Sequence, residues 1–102
     1  MTARQMRRVP SESATRRVEL GRLVSSPNAL AQVPSDEILA ALAKHAAGIW
    51  GDVCPDDWQE NEKALNNGFR LLSAYTTKTG TKFWIITEAD RSATTVLMPE
   101  DY

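Results

Sequence analysis

Apolar residues in the middle of the chain recur at the spacing of an α-helix. Ser35 can cap a helix N-terminus, and the carboxylates of Asp36 and Glu37 suit the positive end of the helix dipole. Apolar residues then fall at positions that one face of a helix brings together: Ile38, Leu39, Leu42, Ala46 and Ile49. The pattern predicts a helix from Ser35 to about Gly48, with this stripe packed against the rest of the domain.

Two further helices are predicted on either side of the first. Ser26 followed by Pro27 is a typical helix start and predicts a short helix over residues 28–32. Pro55 with two following carboxylates marks another start, and Gly68 marks its end. One face of this last helix carries Trp58, Asn61 and Leu65.

After residue 68 the pattern changes to short strands rich in aromatic and β-branched residues. Three strands are predicted over residues 69–76, 82–88 and 93–98, with turns between them, and a loosely alternating strand precedes the helices at residues 18–24. Helices first and strands second predict an α+β fold. We expect N-terminal helices packed on a C-terminal antiparallel sheet of three to four strands, arranged as a meander.

Charge divides the chain into two parts. Residues 1–17 hold five arginines and one glutamate and lack hydrophobic periodicity, which predicts a disordered Arg-rich leader. Residues 18–102 hold seven Lys and Arg against twelve Asp and Glu, so this single α+β domain carries a net charge of −5. An acidic body does not attract nucleic acid by its overall field. Nucleic acid is therefore expected only at the leader or at a local arginine site.

Composition narrows the class of protein further. The longest apolar runs fall far short of a membrane span, and no apolar stretch follows the N-terminal charges as in a secretory signal. A single cysteine, Cys54, excludes an intrachain disulfide and favours the reducing cytoplasm. No paired Cys or His spacing and no phosphate-binding glycine loop occurs, so we expect no metal and no cofactor.

His45 is the only histidine and lies on or beside the predicted buried stripe. One interpretation is a core residue whose ring points toward the sheet and is held by a backbone carbonyl or by the Asn61 amide. The other is a general acid or base, because the pKa of an unperturbed imidazole suits proton transfer at neutral pH.

The most polar reversal of the chain spans residues 87–92. Arg91 can pair with Glu88 or Asp90 and give a salt-bridged hairpin. The functional alternative is a binding site formed by Arg70, Asp90 and Arg91, with both arginines pointing at one anion. Elsewhere, Asn61 is expected to tie down the turn at residues 50–52, and the three tryptophans, Trp50, Trp58 and Trp84, are expected in the core.

Several segments together have a family signature. They are His45-Ala-Ala-Gly48-Ile-Trp50-Gly51-Asp52, Asp57 with Asn61, Gly68 to Tyr75, Lys82 to Ser92 and Thr94 to Tyr102, with Leu20 to Val24 and Ser26 to Leu30 at the front. Over residues 18–102 the chain resembles a family of small uncharacterised bacterial proteins found on plasmids, integrated elements and phage-related islands. Ile49 departs from the acidic residue that this family often has before the tryptophan. Some members are labelled as a type I restriction subunit, although 102 residues cannot hold a methyltransferase domain.

Two functional hypotheses follow. The resemblance implies an accessory protein of a mobile element that acts by protein–protein interaction, and that either interferes with a host defence complex or accompanies one. The alternative is a small metal-independent endoribonuclease of the barnase or toxin type. Its candidate catalytic residues are His45, Arg70, Glu88, Arg91 and Thr95. The second hypothesis requires these side chains to converge on one open concave surface.

Overall fold

The computed structural model describes residues 16–102, so all but the last two residues of the predicted leader lie outside the described part. Within it the chain forms three α-helices: α1 (Pro27–Gln32), α2 (Ser35–Ala46) and α3 (Pro55–Asn67). It also forms four strands: β1 (Arg22–Ser25), β2 (Leu71–Thr76), β3 (Lys82–Thr87) and β4 (Ala93–Leu97). A 3-10 helix at Pro99–Asp101 follows the last strand. No helix of residues 16–102 is long and apolar enough to cross a membrane.

The α+β class is confirmed, but the expected pure antiparallel meander is wrong. The strands lie in the order β1-β4-β3-β2, and only the pairs β2–β3 and β3–β4 are antiparallel. Strand β1 pairs with β4 in parallel, from Arg22 beside Ala93 to Ser25 beside Val96. The sheet is mixed because β1 precedes all three helices, whose long excursion returns the chain so that β4 runs in the direction of β1.

The three helices cover one face of the sheet. On β2, buried side chains alternate with more exposed ones, as expected for a strand with one buried face, whereas Ile85, Ile86 and Thr87 of β3 are all buried. The larger core cluster joins these inward strand residues to α1 and α2: Ala29, Val33, Ile38, Ala41, Leu42, Tyr75, Phe83, Ile85, Val96 and Met98. A second cluster under α3 contains Val18, Trp50, Ala64 and Leu71.

The buried stripe of α2 differs from the predicted one. Ile38, Ala41, Leu42 and His45 face the sheet, whereas Leu39 is 66% exposed. The observed stripe follows the spacing i, i+3, i+4, i+7, and Leu39 lies one position off it. Ile49 is exposed because α2 ends at Ala46.

The outer edge of β2 is closed by side-chain and loop contacts. The Asn61 side-chain amide donates to the Leu72 carbonyl at 2.7 Å, and its oxygen accepts from the Leu72 N–H at 3.2 Å. Further along the strand, Ala74 donates to the Trp50 carbonyl and accepts from the Asp52 N–H. Asn61 is therefore buried and paired as expected, but its partner is the backbone of β2 rather than the turn at residues 50–52.

Replacing Asn61 with alanine should lower the free energy of unfolding by about 2–3 kcal/mol, because both backbone groups of Leu72 lose a buried partner. Urea denaturation followed by circular dichroism measures the loss. Asn66→Ala on the exposed side of the same helix is the matched control and should stay within about 0.5 kcal/mol of the parent. Equal losses in the two variants would mean that the amide pairing contributes nothing to stability.

The contacts of the domain extend to Arg17, the last residue of the predicted leader. Arg17 lies in the segment assigned to the leader, yet its guanidinium pairs with Glu62 of α3 at 2.7 Å. The backbone N–H groups of Arg17 and Val18 both donate to the carbonyl of Ala46. These contacts attach the start of the domain to α2 and α3.

Candidate functional site

His45 lies at the centre of a buried chain of hydrogen bonds. Its side chain is fully buried, and so are Ser73, Thr87 and Thr94, whose hydroxyl groups form the rest of this series of hydrogen bonds. Nδ1 lies 2.5 Å from Ser73 Oγ of β2, and Nε2 lies 2.8 Å from Thr87 Oγ1 of β3. Thr87 Oγ1 then lies 2.7 Å from Thr94 Oγ1 of β4, which donates to the Leu20 carbonyl at 2.7 Å. One histidine on α2 thus connects three neighbouring strands.

The hydrogen bond from Thr94 to the Leu20 carbonyl fixes the direction of every other hydrogen bond in this series. Thr94 uses its only hydroxyl hydrogen on the Leu20 carbonyl, so Thr87 must be the donor between the two threonines. Thr87 Oγ1 is then free only to accept, which places the proton of the neutral imidazole on Nε2. Nδ1 consequently accepts from Ser73. Each polar atom on the path is satisfied with His45 neutral.

The environment of His45 opposes protonation. Burial, together with the positive charge of Arg91, lowers the pKa of the imidazole to about 4. The ring also packs edge-on against Trp50, with a centroid distance of 5.6 Å. The expectation that the ring points toward the sheet is confirmed, but the partners are hydroxyl groups rather than a backbone carbonyl or Asn61. Because the side chain of His45 has no solvent-exposed surface in this structure, a substrate cannot reach it.

Sequence reasoning missed these partners. The signal was present: Ser73, Thr87 and Thr94 are small polar residues at inward positions of three adjacent strands. Such residues need a common polar partner because their hydroxyls are removed from water. The only histidine of the chain supplies it.

Arg91 is occupied by backbone carbonyls. Its guanidinium donates to Phe69 O at 2.7 Å, to Glu88 O at 3.1 Å and to Ala89 O at 3.2 Å, and also reaches Ala64 O of α3 at 3.2 Å. Arg91 itself has a positive φ of 63°, which turns the chain between β3 and β4. This side chain therefore fastens the end of α3 to the sheet and does not point at an anion shared with Arg70.

Asp90 serves the same turn. Its carboxylate accepts from the Ser92 N–H at 3.0 Å, and hydrogen bonding from Ser92 holds the pKa of Asp90 below its usual value. Of the three residues of the predicted binding site, Asp90 and Arg91 thus shape the hairpin. The salt bridge expected of Arg91 is replaced by these carbonyl contacts.

Arg70 lies on the other side of the sheet, with Tyr102. Its Nη1 donates to the Tyr102 hydroxyl at 2.8 Å, and its Cζ lies 5.6 Å from the centroid of that ring. The Glu88 carboxylate is 3.8 Å from Arg70 Nε. Arg70 is exposed, as its alternation with Leu71 predicted.

The sheet separates the five residues of the catalytic alternative. His45 is buried on the helix-covered face, while Arg70, Glu88 and Thr95 belong to the opposite face by strand register. The guanidinium of Arg91 is held by carbonyls at the sheet margin. The structure does not bring the five side chains onto one open concave surface.

We call the side of the sheet away from the three α-helices the open face. Its strand residues are Arg22, Val24, Arg70, Leu72, Ala74, Thr76, Lys82, Trp84, Ile86, Glu88, Ala93, Thr95 and Leu97. The segment after β4 folds back over part of it, so that Tyr102 packs edge-on against Trp84 with a centroid distance of 5.6 Å. Tyr102 remains 65% exposed and Val24 39% exposed.

Trp84 is not the core residue that the sequence suggested. Its neighbours Phe83 and Ile85 take the helix-covered face, which leaves Trp84 half-buried on the open face. A hollow of about 610 Å³ adjoins it, with Lys82 and Thr76 on its wall and Pro99 at one side. The indole thus borders a concave, partly apolar space that none of the helices within residues 16–102 fills.

A second hollow of about 500 Å³ lies between α2 and the turn after β2, and shares Asp52, Tyr75 and Thr76 with the first. Its lining mixes three carboxylates with Lys44 and Lys78, and Glu37 already accepts from the Lys78 backbone N–H. Within residues 16–102, no group of three His, Cys, Asp or Glu side chains is arranged to hold a metal ion. None of the candidate residues predicted from the sequence faces this second hollow.

Comparison of the chain with models of protein families, with curated proteins and with solved structures finds no match.

Proposed function

We propose that this chain is a non-catalytic protein-binding module whose partner docks on the open face. The observation that carries the proposal is the aromatic pair of half-buried Trp84 and exposed Tyr102, with Trp84 lining a hollow of about 610 Å³. Aromatic residues next to a pocket that an apolar side chain can fill are typical of the energetic centre of protein interfaces. The resemblance to plasmid and phage-island proteins supports a setting in which the partner belongs to a host defence complex.

Charge on the open face favours an acidic partner. Its strand positions carry three cations, Arg22, Arg70 and Lys82, against the carboxylate of Glu88, while the hollow itself is lined by Lys82 together with Asp52. The described domain is acidic overall, so the strand positions of the open face are locally opposite in sign to it. A protein surface with carboxylates around an apolar side chain would complement both the hollow and its cationic margin.

The arrangement of the rings favours protein over nucleic acid. Trp84 and Tyr102 pack edge-to-face on each other, and the Arg70 guanidinium lies over the Tyr102 ring. Proteins that hold single strands present aromatic faces on which bases stack. Here the two rings stabilise each other rather than standing apart as stacking platforms.

Site-specific photo-crosslinking tests the proposal. A photoreactive phenylalanine replaces Lys82 on the open face in one variant. In the matched control it replaces Leu39 on the exposed side of α2. Native host cells that contain either variant are then irradiated. We expect one protein crosslinked from position 82 and absent from position 39, through a peptide rich in Asp and Glu. Crosslinks of equal pattern from both positions, or to nucleic acid from position 82, would refute it.

The endoribonuclease alternative has its own test. Purified parent chain incubated with total RNA should leave it intact, because His45 has no exposed surface and the other candidates lie elsewhere. Specific cleavage by the parent that is lost in a folded His45→Gln variant would contradict the proposal.

A further inference from the structure

The two edge strands of the sheet, β1 and β2, differ in whether their outer backbone groups are hydrogen-bonded. On β1, the N–H of Arg22 donates to Ser92 O at 3.0 Å and that of Ser26 to Val96 O at 2.9 Å, so alternate residues point toward β4. The N–H and C=O groups of Leu23 and Ser25 therefore point away from the sheet. They have no backbone partner among residues 16–102.

This contrasts with β2, whose outer edge is closed by Asn61, Trp50 and Asp52. Natural proteins protect edge strands with charges, prolines, bulges or covering segments, because unpaired edges add further strands. The central residues of β1, Leu23 and Val24, are apolar and 55% and 39% exposed. Arg22, at the first position, is the one charged residue of the four-residue strand β1, and the strand contains no proline.

We propose that β1 pairs antiparallel with β1 of a second copy of this chain, which joins the two four-stranded sheets into one. The donor and acceptor pattern is self-complementary when Val24 lies on the two-fold axis. Leu23 of one copy then exchanges both backbone hydrogen bonds with Ser25 of the other, and the reverse exchange completes the pairing. This inference is independent of the proposed function.

Charge is compatible with this register. Arg22 lies opposite Ser26 of the second copy, so no like charges meet across the new pair. The two Arg22 residues are separated by about 14 Å along the strands, given a rise of about 3.4 Å per residue. That distance exceeds the screening length of about 10 Å at 0.1 M salt.

The pairing also places the two open faces side by side on the same side of the joined sheet. Residues directly opposite in an antiparallel pair share a face, so both Val24 side chains lie on the open side. The dimer would present one continuous surface with an indole and its hollow in each half.

Disulfide trapping tests the register. In a Cys54→Ser background, which removes the exposed native thiol, Val24→Cys should give a covalent dimer on mild oxidation. The reason is that non-hydrogen-bonded antiparallel pairs have Cα atoms about 4.5 Å apart, within disulfide range. Leu23→Cys is more exposed but diagonal to its copy, and should crosslink at least tenfold more slowly. Equal rates, or no crosslink from either position, would overturn the proposed pairing.

Light scattering of the full chain tests the dimer itself. We expect the parent to have twice the monomer mass at high concentration. Leu23→Pro should restore the monomer, because it removes an outward N–H and leaves the bonds to β4 in place. Leu23→Lys does the same by charge if the proline variant fails to fold. A parent protein that stays monomeric at high concentration would overturn the proposal. Slow hydrogen exchange at the Leu23 and Ser25 amides of such a monomer would mean that β1 is paired within the chain itself.

Discussion

Replacing Trp50 with alanine is expected to lower the free energy of unfolding by about 3–5 kcal/mol, as truncation of fully buried aromatic residues does. The indole is completely buried in the cluster under α3 and packs on His45. Its Nε1 also donates to Glu62 at 2.9 Å. Because small domains have only about 5–15 kcal/mol in total, the variant should be near its unfolding threshold.

Trp84→Ala is the control for Trp50→Ala, since it removes the same side chain from the open face. Trp84 is half-buried, and we expect less than half the loss seen at Trp50. Urea denaturation of the two variants at pH 7 gives both values. A larger loss at Trp84 than at Trp50 would mean that the open face, and not the helix-covered face, contains the main core.

Acidification from pH 7 to pH 4.5 is expected to cost roughly 2–3 kcal/mol of stability through His45 alone. The pKa of this imidazole is about 4 in the folded chain, against about 6.5 when unfolded. Between these values the unfolded state binds the extra proton, so stability is complete above pH 6.5 and is lost as the pH falls toward 4. Protonation would also place a hydrogen on Nδ1, where Ser73 is the donor.

His45→Gln separates this effect from other titrations. The variant should be less stable than the parent at pH 7, because it cannot reproduce both hydroxyl contacts, but its stability should change little between pH 7 and 4.5. Hydrogen bonds lower the pKa of the carboxyl groups of Glu62, Asp90 and Asp101 in both proteins, so their contribution cancels when parent and variant are compared. An equally steep pH dependence in parent and variant would show that His45 is not the titrating group.

Local signals in the sequence were sufficient for the helices and for three strands. Proline and glycine at the ends of α3 and the capping residue Ser26 marked their boundaries because they act within one turn of the chain. The parallel pairing of β1 with β4 was not accessible in this way. It depends on where the helices return the chain, which no short-range pattern records.

The site was predicted less well than the fold. Alternation placed Arg70 outward, but it did not indicate that Trp84 would share that face while Phe83 turned inward. The fate of Arg91 depends on four carbonyls from three separate segments that meet only in the folded chain. His45 was placed correctly toward the sheet, yet its partners lie 28 and 42 residues away in sequence.

The most direct test of the open face as a binding surface uses the partner protein that photo-crosslinking identifies. Calorimetric titration measures its binding to the parent and to two charge-reversal variants. Lys82→Glu changes the cationic margin of the hollow beside Trp84, and Lys44→Glu makes the same change at the hollow beside α2. Both lysines are exposed, so folding should be unaffected. We predict at least tenfold weaker binding for Lys82→Glu and less than a twofold change for Lys44→Glu. Weakening by Lys44→Glu with parent-like binding by Lys82→Glu would contradict the assignment.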